Sequence, residues 1–448
     1  MGGHGLYLRP THRTFIKCGV WSDTATHFLP LRKNHEGTEV EMKNEVMQGT
    51  PTDNRVPFLK KYDVILWGCL FFIVGTVIRF ALRDLTSIDT DEFLVPWYHE
   101  IQDGGGLQYL GHQVGDYNIL YQTLIALFTY CPLKPLYAYK LFSCCFDVLL
   151  AGLAAYIVYR AAEQSGRYKA LAAFGLVYLS PVVFINAAWW GQCDAIYTFF
   201  GIAALYFLSR EKDFTAFILY GVSMTFKLQA IFLMPMMLFS VFCRKKWHLV
   251  YVLMIPAVMV LLSMGGLLAG RQISDVFTIY LHQTASYPSV ALNYPSVWGL
   301  LSDTGHIINY AAGTEVLSSE TLYNVVKYPS ILIAVGVLAA YMFVWRRKGV
   351  TFTLKHTLIM AFILAYTCVI LLPSMHERYG YVYEILSLIL VLLYPKLTVK
   401  VIILHGVTLC TYIHFLSNCY FVPIAVLSVI NIVLYVLMVR FLCRELIK

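Results

Sequence analysis

The chain has 448 residues, of which 58% are hydrophobic and 13% charged, and its mean hydropathy is +0.64. A soluble protein of this length needs far more surface charge. Repeated apolar runs of about 20 residues instead imply an all-α, polytopic helical membrane protein. The net charge of +8 fits excess Lys and Arg on the cytoplasmic side of a bilayer and does not call for nucleic acid. No alternating short strands of a membrane barrel are seen. The cysteines are scattered through apolar runs with no metal spacing, so they read as small packing residues.

Residues 1–55 differ in composition from everything after them and lack an apolar core for a cleaved signal peptide. They are expected to be a disordered cytoplasmic tail, or an over-long start with Met42 as the alternative. Residues 56–448 are expected to form a single membrane domain. Spans are drawn over 63–82, 137–159, 169–188, 195–209, 214–226, 229–242, 249–269, 328–345, 354–373, 380–394, 400–416 and 420–440. Basic residues in alternate short loops (Lys60 and Lys61, Arg160 and Arg167, Arg210 and Lys212, Lys245 and Lys246, Arg346 and Arg347, Lys396 and Lys400) orient about twelve crossings with both termini inside. The run 118–134 is short for a crossing and is read as a helix dipping into the outer leaflet. The pair 214–226 and 229–242 is read as half-length helices with Lys227 at a buried turn, where irregular backbone can line a cavity.

In this layout the unusual polar stretches share the outer side, on loops 83–136 and 270–327 and on short turns. The stretch "SIDTDEFLVPWYHEI" carries Asp89, Asp91 and Glu92. Three carboxylates so close must be solvated or paired. One suits a general base and another a ligand for a divalent cation, with Asp89 and Asp91 as the metal candidates; the alternative is a solvated loop. An amphipathic helix follows, with Phe93, Leu94, Trp97 and Ile101 able to lie on lipid. In "GDYN", Asp116 is either a helix cap or a site carboxylate, and Tyr117 follows it. In "WWGQCD", Trp190, Gln192 and Asp194 suit a sugar ring or form an aromatic belt with a cap. Lys227 and Gln229 sit between two short helices, where a lysine either snorkels or meets an anion such as a lipid phosphate. In "HERY", Arg378 offers bidentate phosphate contacts and His376 a second hydrogen bond, with Glu377 as its counter-charge. The alternative is a structural ion pair closing a helical hairpin. Asp147 and Glu384 fall within spans and receive no role.

Taken in order, "SxDxxxFLxPWYxxI", "DYNxxY", "WGQCDAIY", "FKLQ", "LNxPSxWGLL" and "HERYxY" resemble the GT-C superfamily of membrane glycosyltransferases over about residues 62–445. The likeness is greatest to bacterial relatives of the second mannosyltransferase of glycosylphosphatidylinositol synthesis. That resemblance implies transfer of one hexose, mannose by the family label, from a polyprenyl-phosphate donor to a glycan, lipid or protein acceptor outside the cytoplasm, with inversion. It implies a multi-pass protein of the plasma membrane acting in cell-envelope glycan or glycolipid synthesis. Asp89 matches the position of the base in that superfamily; Asp91 and Glu92 stand where other members often lack acids. Arg378, His376 and Lys227 would face the lipid phosphate, Asn293 and Trp298 would shape the acceptor end, and Tyr379 of the "HERY" stretch is a further substrate-binding candidate. The competing readings are a transporter or flippase, or a binding subunit, for a lipid-linked sugar. A transporter calls for midplane polar groups or a repeat, and the sequence has neither.

Overall fold

The computed structural model describes residues 56–162, 165–244, 249–286, 288–302, 319–419 and 421–448. The tail expected over 1–55, the basic pair Lys245 and Lys246, and much of the loop drawn over 270–327 lie outside them. Arg55–Lys448 cluster as one compact unit. The described residues are helical and contain no strand, only isolated bridges from Leu292 and Asn293 to His376.

The first helices are α1 (Val56–Ala81), α2 (Val95–Asp103), α3 (Ile119–Phe128), α4 (Pro135–Ala161), α5 (Gly166–Tyr178) and α6 (Pro181–Phe184). Next come α7 (Asp194–Ser209), α8 (Asp213–Phe226), α9 (Met234–Cys243), α10 (Leu249–Val252), α11 (Met254–Leu262) and α12 (Met264–Leu268). The rest are α13 (Asp275–Ser286), α14 (Gly299–Ser302), α15 (Ser319–Arg347), α16 (Leu354–Leu371), α17 (Tyr381–Leu393), α18 (Thr398–Ser417) and α19 (Ile424–Ile447).

Among the described residues six helices are long and apolar enough to span a bilayer, within α1, α4, α15, α16, α18 with the turn before it, and α19. The segments Gly166–Tyr178 and Pro181–Trp189, bent by 44°, make a seventh if they count as one span. The expectation of about twelve spans is therefore not met by helix length. The remaining apolar runs are helices of 10–17 residues, α3, α7, α8, α17 and the segments Leu228–Cys243 and Val250–Leu262. Local breaks explain much of this. Ser180 is extended before Pro181, which has no N–H to continue α5. Lys227 is extended (φ −157°, ψ 139°) between α8 and a 3₁₀ turn over Leu228–Leu233.

Burial sorts the helices by position. The apolar window of α16 is 78% buried, that of α1 only 11%. α16 and α17 are thus interior, and the turn joining them, which carries His376 to Tyr379, is held from several sides. α4 packs against α5 and α7, α7 against α8, and α8 against α11. Two interior cations are spent on this frame. Arg79 of α1 pairs with Asp147 of α4 (Nη2–Oδ2 2.8 Å, Nε–Oδ2 2.9 Å). Lys140 of α4 donates to the carbonyls of Leu82, Arg83 and Leu85, in the turn that follows the end of α1. That lysine anchors the start of the loop leading to Asp89.

The helix expected over Phe93–Ile101 forms; of the four residues named for lipid, Phe93 and Trp97 stay partly exposed, while Leu94 and Ile101 turn inward. Leu94, Tyr98 and Ile101 are buried in the protein core. Tyr139 of α4 donates to the Leu94 carbonyl at 2.8 Å. A stripe at this spacing suits either lipid or a helix face, and here α3 and α4 take it.

Candidate active site

Asp89 stands at the start of a π-helical turn, Thr90–Leu94, which runs into α2. Such turns widen the backbone spiral by one residue and often mark functional sites. A second one, Ile185–Trp189, precedes the "WWGQCD" stretch. After it the chain turns at Gly191, with φ +74°. A Cβ at Gly191 would stand 3.0 Å from Thr90 Cγ2. The missing side chain lets this turn pack against the Asp89 loop, and both flanking residues reach the same carboxylate. Trp190 Nε1 donates to Asp89 Oδ2 at 2.9 Å, and Gln192 Nε2 donates to it at 2.7 Å.

Arg378 completes the contact, with Nη1 3.2 Å from Asp89 Oδ2. The same Nη1 lies 3.3 Å from Glu377 Oε1. The guanidinium rests over the Trp190 ring at 5.3 Å, and Trp190 is stacked on Phe415 (4.6 Å) and edge-on to Tyr412. Aromatic backing of this kind fixes the plane of an arginine. Asp89 is 17% exposed and Arg378 13%.

Behind them is a buried network. Lys227 pairs with Asp194 at 2.5 Å, with side chains 3% and 1% exposed. Lys227 also donates to Gln192 Oε1 at 3.2 Å, and Tyr117 OH donates to that oxygen at 3.3 Å. Asn186 Nδ2 donates to Asp194 Oδ2 at 2.8 Å, and Arg378 Nε approaches the same oxygen at 3.9 Å. Lys227 is therefore committed to Asp194, where the sequence suggested a lipid phosphate as its partner. A buried cation must be matched by charge and hydrogen bonds, and Asp194 meets that need from the start of α7.

The other expected residues fall into two groups. Asp91, Glu92 and Asp116 are exposed, and among the described residues their side chains form no hydrogen bond or ion pair with this cluster. Asp116 does not cap α3; Asn118 does, its Oδ1 accepting from the Ile119 N–H at 2.7 Å while its Nδ2 donates to the Val276 carbonyl at 2.9 Å. Asn293, Trp298, Gln229 and Tyr379 support the α16–α17 turn. Asn293 bridges to His376 with a left-handed φ of 60°. Trp298 Nε1 donates to the Leu371 carbonyl at 2.7 Å. Tyr379 hydrogen-bonds Gln229 and packs against His376 and Phe232. Asn186, Tyr412 and Phe415 were not anticipated. Asn186 had a visible signal, a lone amide in the apolar run "VVFINAAWW".

Burial sets the charge state of the turn. It pushes the Glu377 carboxyl up to about 7, against the pull of Arg378. Burial, with Arg378 and Lys227 nearby, holds His376 down at about 3, so its imidazole is neutral. Burial likewise raises the Tyr379 phenol to about 12. Arg378 stays charged among Asp89, Glu377 and Asp194.

The donor set around Asp89 does not suit a metal. Its Oδ2 faces two N–H donors and a guanidinium, and among the described residues no group of three or more His, Cys, Asp or Glu converges on a point. The arrangement is one acid and one guanidinium, both partly open, on a buried polar support. Acid plus anion site is what group transfer from a phosphate needs.

Comparison with known families points to glycosyl transfer. No curated protein matches the chain. A family model described as Glycosyltransferase family 87 matches residues 117–373, more than half of the sequence. The matched stretch contains Tyr117, Trp190, Gln192, Asp194, Lys227, Asn293 and Trp298, and the loops bearing Asp89 and Arg378 flank it. The chain, a helical membrane protein with an acid and a guanidinium joined on one polar cluster, belongs to glycosyltransferase family 87.

Proposed function

We propose that the protein transfers one hexose from a polyprenyl-phosphate donor to an acceptor hydroxyl on the extracytoplasmic side of the plasma membrane, with inversion. Family membership supports glycosyl transfer within a membrane. Mannose as the sugar, and a glycan, lipid or protein as the acceptor in cell-envelope synthesis, follow from the likeness in sequence motifs to mannosyltransferases of GT-C type. The observation that carries the reading is the meeting of Asp89 and Arg378 at 3.2 Å.

The division of labour follows from the two open groups. Asp89 Oδ2 is held by Trp190 and Gln192, while Oδ1 accepts no hydrogen bond among the described residues. Oδ1 takes the proton from the acceptor hydroxyl as that oxygen attacks the anomeric carbon. The bond from that carbon to the phosphate oxygen breaks in the same step, and the electron pair leaves on the lipid phosphate. Arg378 balances the growing charge, and neutral His376 donates its N–H beside it. Lys227 acts one step back, by fixing Asp194 and Gln192. A single displacement inverts the centre.

The test is transfer in membranes supplied with a panel of polyprenyl-phosphate hexoses, reading released polyprenyl phosphate. Wild type should release it. Asp89→Asn should lower the rate by roughly a hundred- to ten-thousand-fold, as for loss of a general base. Arg378→Ala should lose about a hundredfold or more. Full activity in Asp89→Asn would remove Asp89 from the chemistry. Donor binding without release under every acceptor tried would favour the transporter or binding-subunit reading.

A further inference from the structure

The charges around Arg378 do not leave it free for an anion. Asp194 is already matched by Lys227 at 2.5 Å. Arg378 is then shared by two carboxylates through one nitrogen, Asp89 at 3.2 Å and Glu377 at 3.3 Å. Its Nη2 makes no hydrogen bond among the described residues. A lipid phosphate reaching this edge competes with the two acids for the one guanidinium charge.

The two acids differ in what they can do. Glu377 is 1% exposed and adjoins Arg378 on the same turn, so it stays beside the guanidinium whether or not it carries charge. Asp89 is 17% exposed and keeps two N–H donors, from Trp190 and Gln192, when the guanidinium leaves. Arg378 is held in plane by Trp190, itself packed between Phe415 and Tyr412. The arginine stays, Glu377 stays, and Asp89 yields.

We propose that Arg378 latches Asp89 in the ligand-free protein, and that the arriving lipid phosphate takes Arg378 over and frees the carboxylate for the acceptor. This rests on the assignment of Arg378 to the donor phosphate made above. It makes Asp89 a competitor of the donor as well as the base. It also imposes an order, because the base is released only where a donor is seated, which limits proton abstraction without a sugar to transfer.

The experiment is titration of the full chain in lipid nanodiscs with farnesyl phosphate, and with farnesol as the uncharged control. Asp89→Asn removes the competing charge and should bind farnesyl phosphate roughly fivefold tighter or more than wild type, the scale of one partly exposed ion pair. Farnesol binding should not change. Asp91→Asn removes the same charge two residues away, from an exposed acid outside the cluster, and should leave affinity as in wild type. Adding Arg378→Ala to Asp89→Asn should abolish the gain. Melting midpoints of each variant establish folding. The latch is overturned if folded Asp89→Asn binds no tighter than wild type, or if Asp91→Asn tightens binding as much. The two proposals fail separately. Tightening without transfer from any donor leaves the latch and removes the transferase reading; transfer without tightening does the reverse.

Discussion

At the scale of single residues, the cluster shows how neighbours in sequence take opposite tasks. His376, Glu377 and Arg378 are consecutive, yet burial neutralises the first, pushes the second up to about 7 and leaves the third charged. A carboxyl whose folded pKa lies above its unfolded value binds more protons in the native state. Its stabilising contribution is full below the unfolded value, near 4.5, and is lost as pH rises through about 7. His376 works the other way, adding stability as pH rises from about 3 to its ordinary 6.5. The two oppose each other where they overlap, so the informative quantity is a difference between variants. Glu377→Gln should gain stability on wild type as pH is raised from 5 to 8. Melting midpoints of both proteins across that range check it, and a flat difference would show that Glu377 does not titrate there.

At the scale of elements, the site depends on how turns are closed more than on the helices they join. Gly191 occupies a left-handed conformation against Thr90, so that Trp190 and Gln192 both reach Asp89. Gly191→Ala should cost about 1–2 kcal/mol from the backbone conformation alone. The contact with Thr90 should also displace the Asp89 loop and reduce transfer more than stability. Activity and unfolding of the alanine variant, measured together, separate the two effects; a stable, fully active variant would show the turn has slack. The π turn at Thr90–Leu94 and the extended Lys227 belong to the same class of feature. Each interrupts a helix where a polar side chain must be aimed inward.

At the scale of the whole molecule, the buried pair Arg79–Asp147 ties α1, which faces outward along most of its length, to α4. Breaking one side of a buried pair leaves an uncompensated charge and costs about 3–5 kcal/mol, whereas replacing both with apolar residues is often neutral. Arg79→Leu should therefore be strongly destabilising, and Arg79→Leu with Asp147→Leu should recover most of the loss. Unfolding of both variants in lipid nanodiscs measures this, and equal loss in single and double variants would point to a role beyond charge balance. Lys140, bonded to the carbonyls after α1, connects the same two helices to the Asp89 loop.

Hydropathy and residue spacing are local quantities, and they sufficed to identify an all-helical membrane protein, the apolar runs, and nearly every polar stretch in the cluster. Asp89, Trp190, Gln192, Asp194, Lys227 and Arg378 stand out in the sequence because charge and amide groups are costly inside apolar runs. How many of those runs become full-length helices was only partly legible: the turn at Lys227 showed as a gap between two short apolar runs, whereas the span drawn over 169–188 bends by 44° at Ser180–Pro181. The choice of partners was not local. That α2 turns its apolar stripe inward, that Asn118 and not Asp116 caps α3, and that Lys227 is spent on Asp194 follow from which helices lie side by side. The meeting of Asp89 with Arg378 is of the same kind. An ion pair is selected by distance in space and by the burial of its competitors, and the order of residues along the chain contains neither.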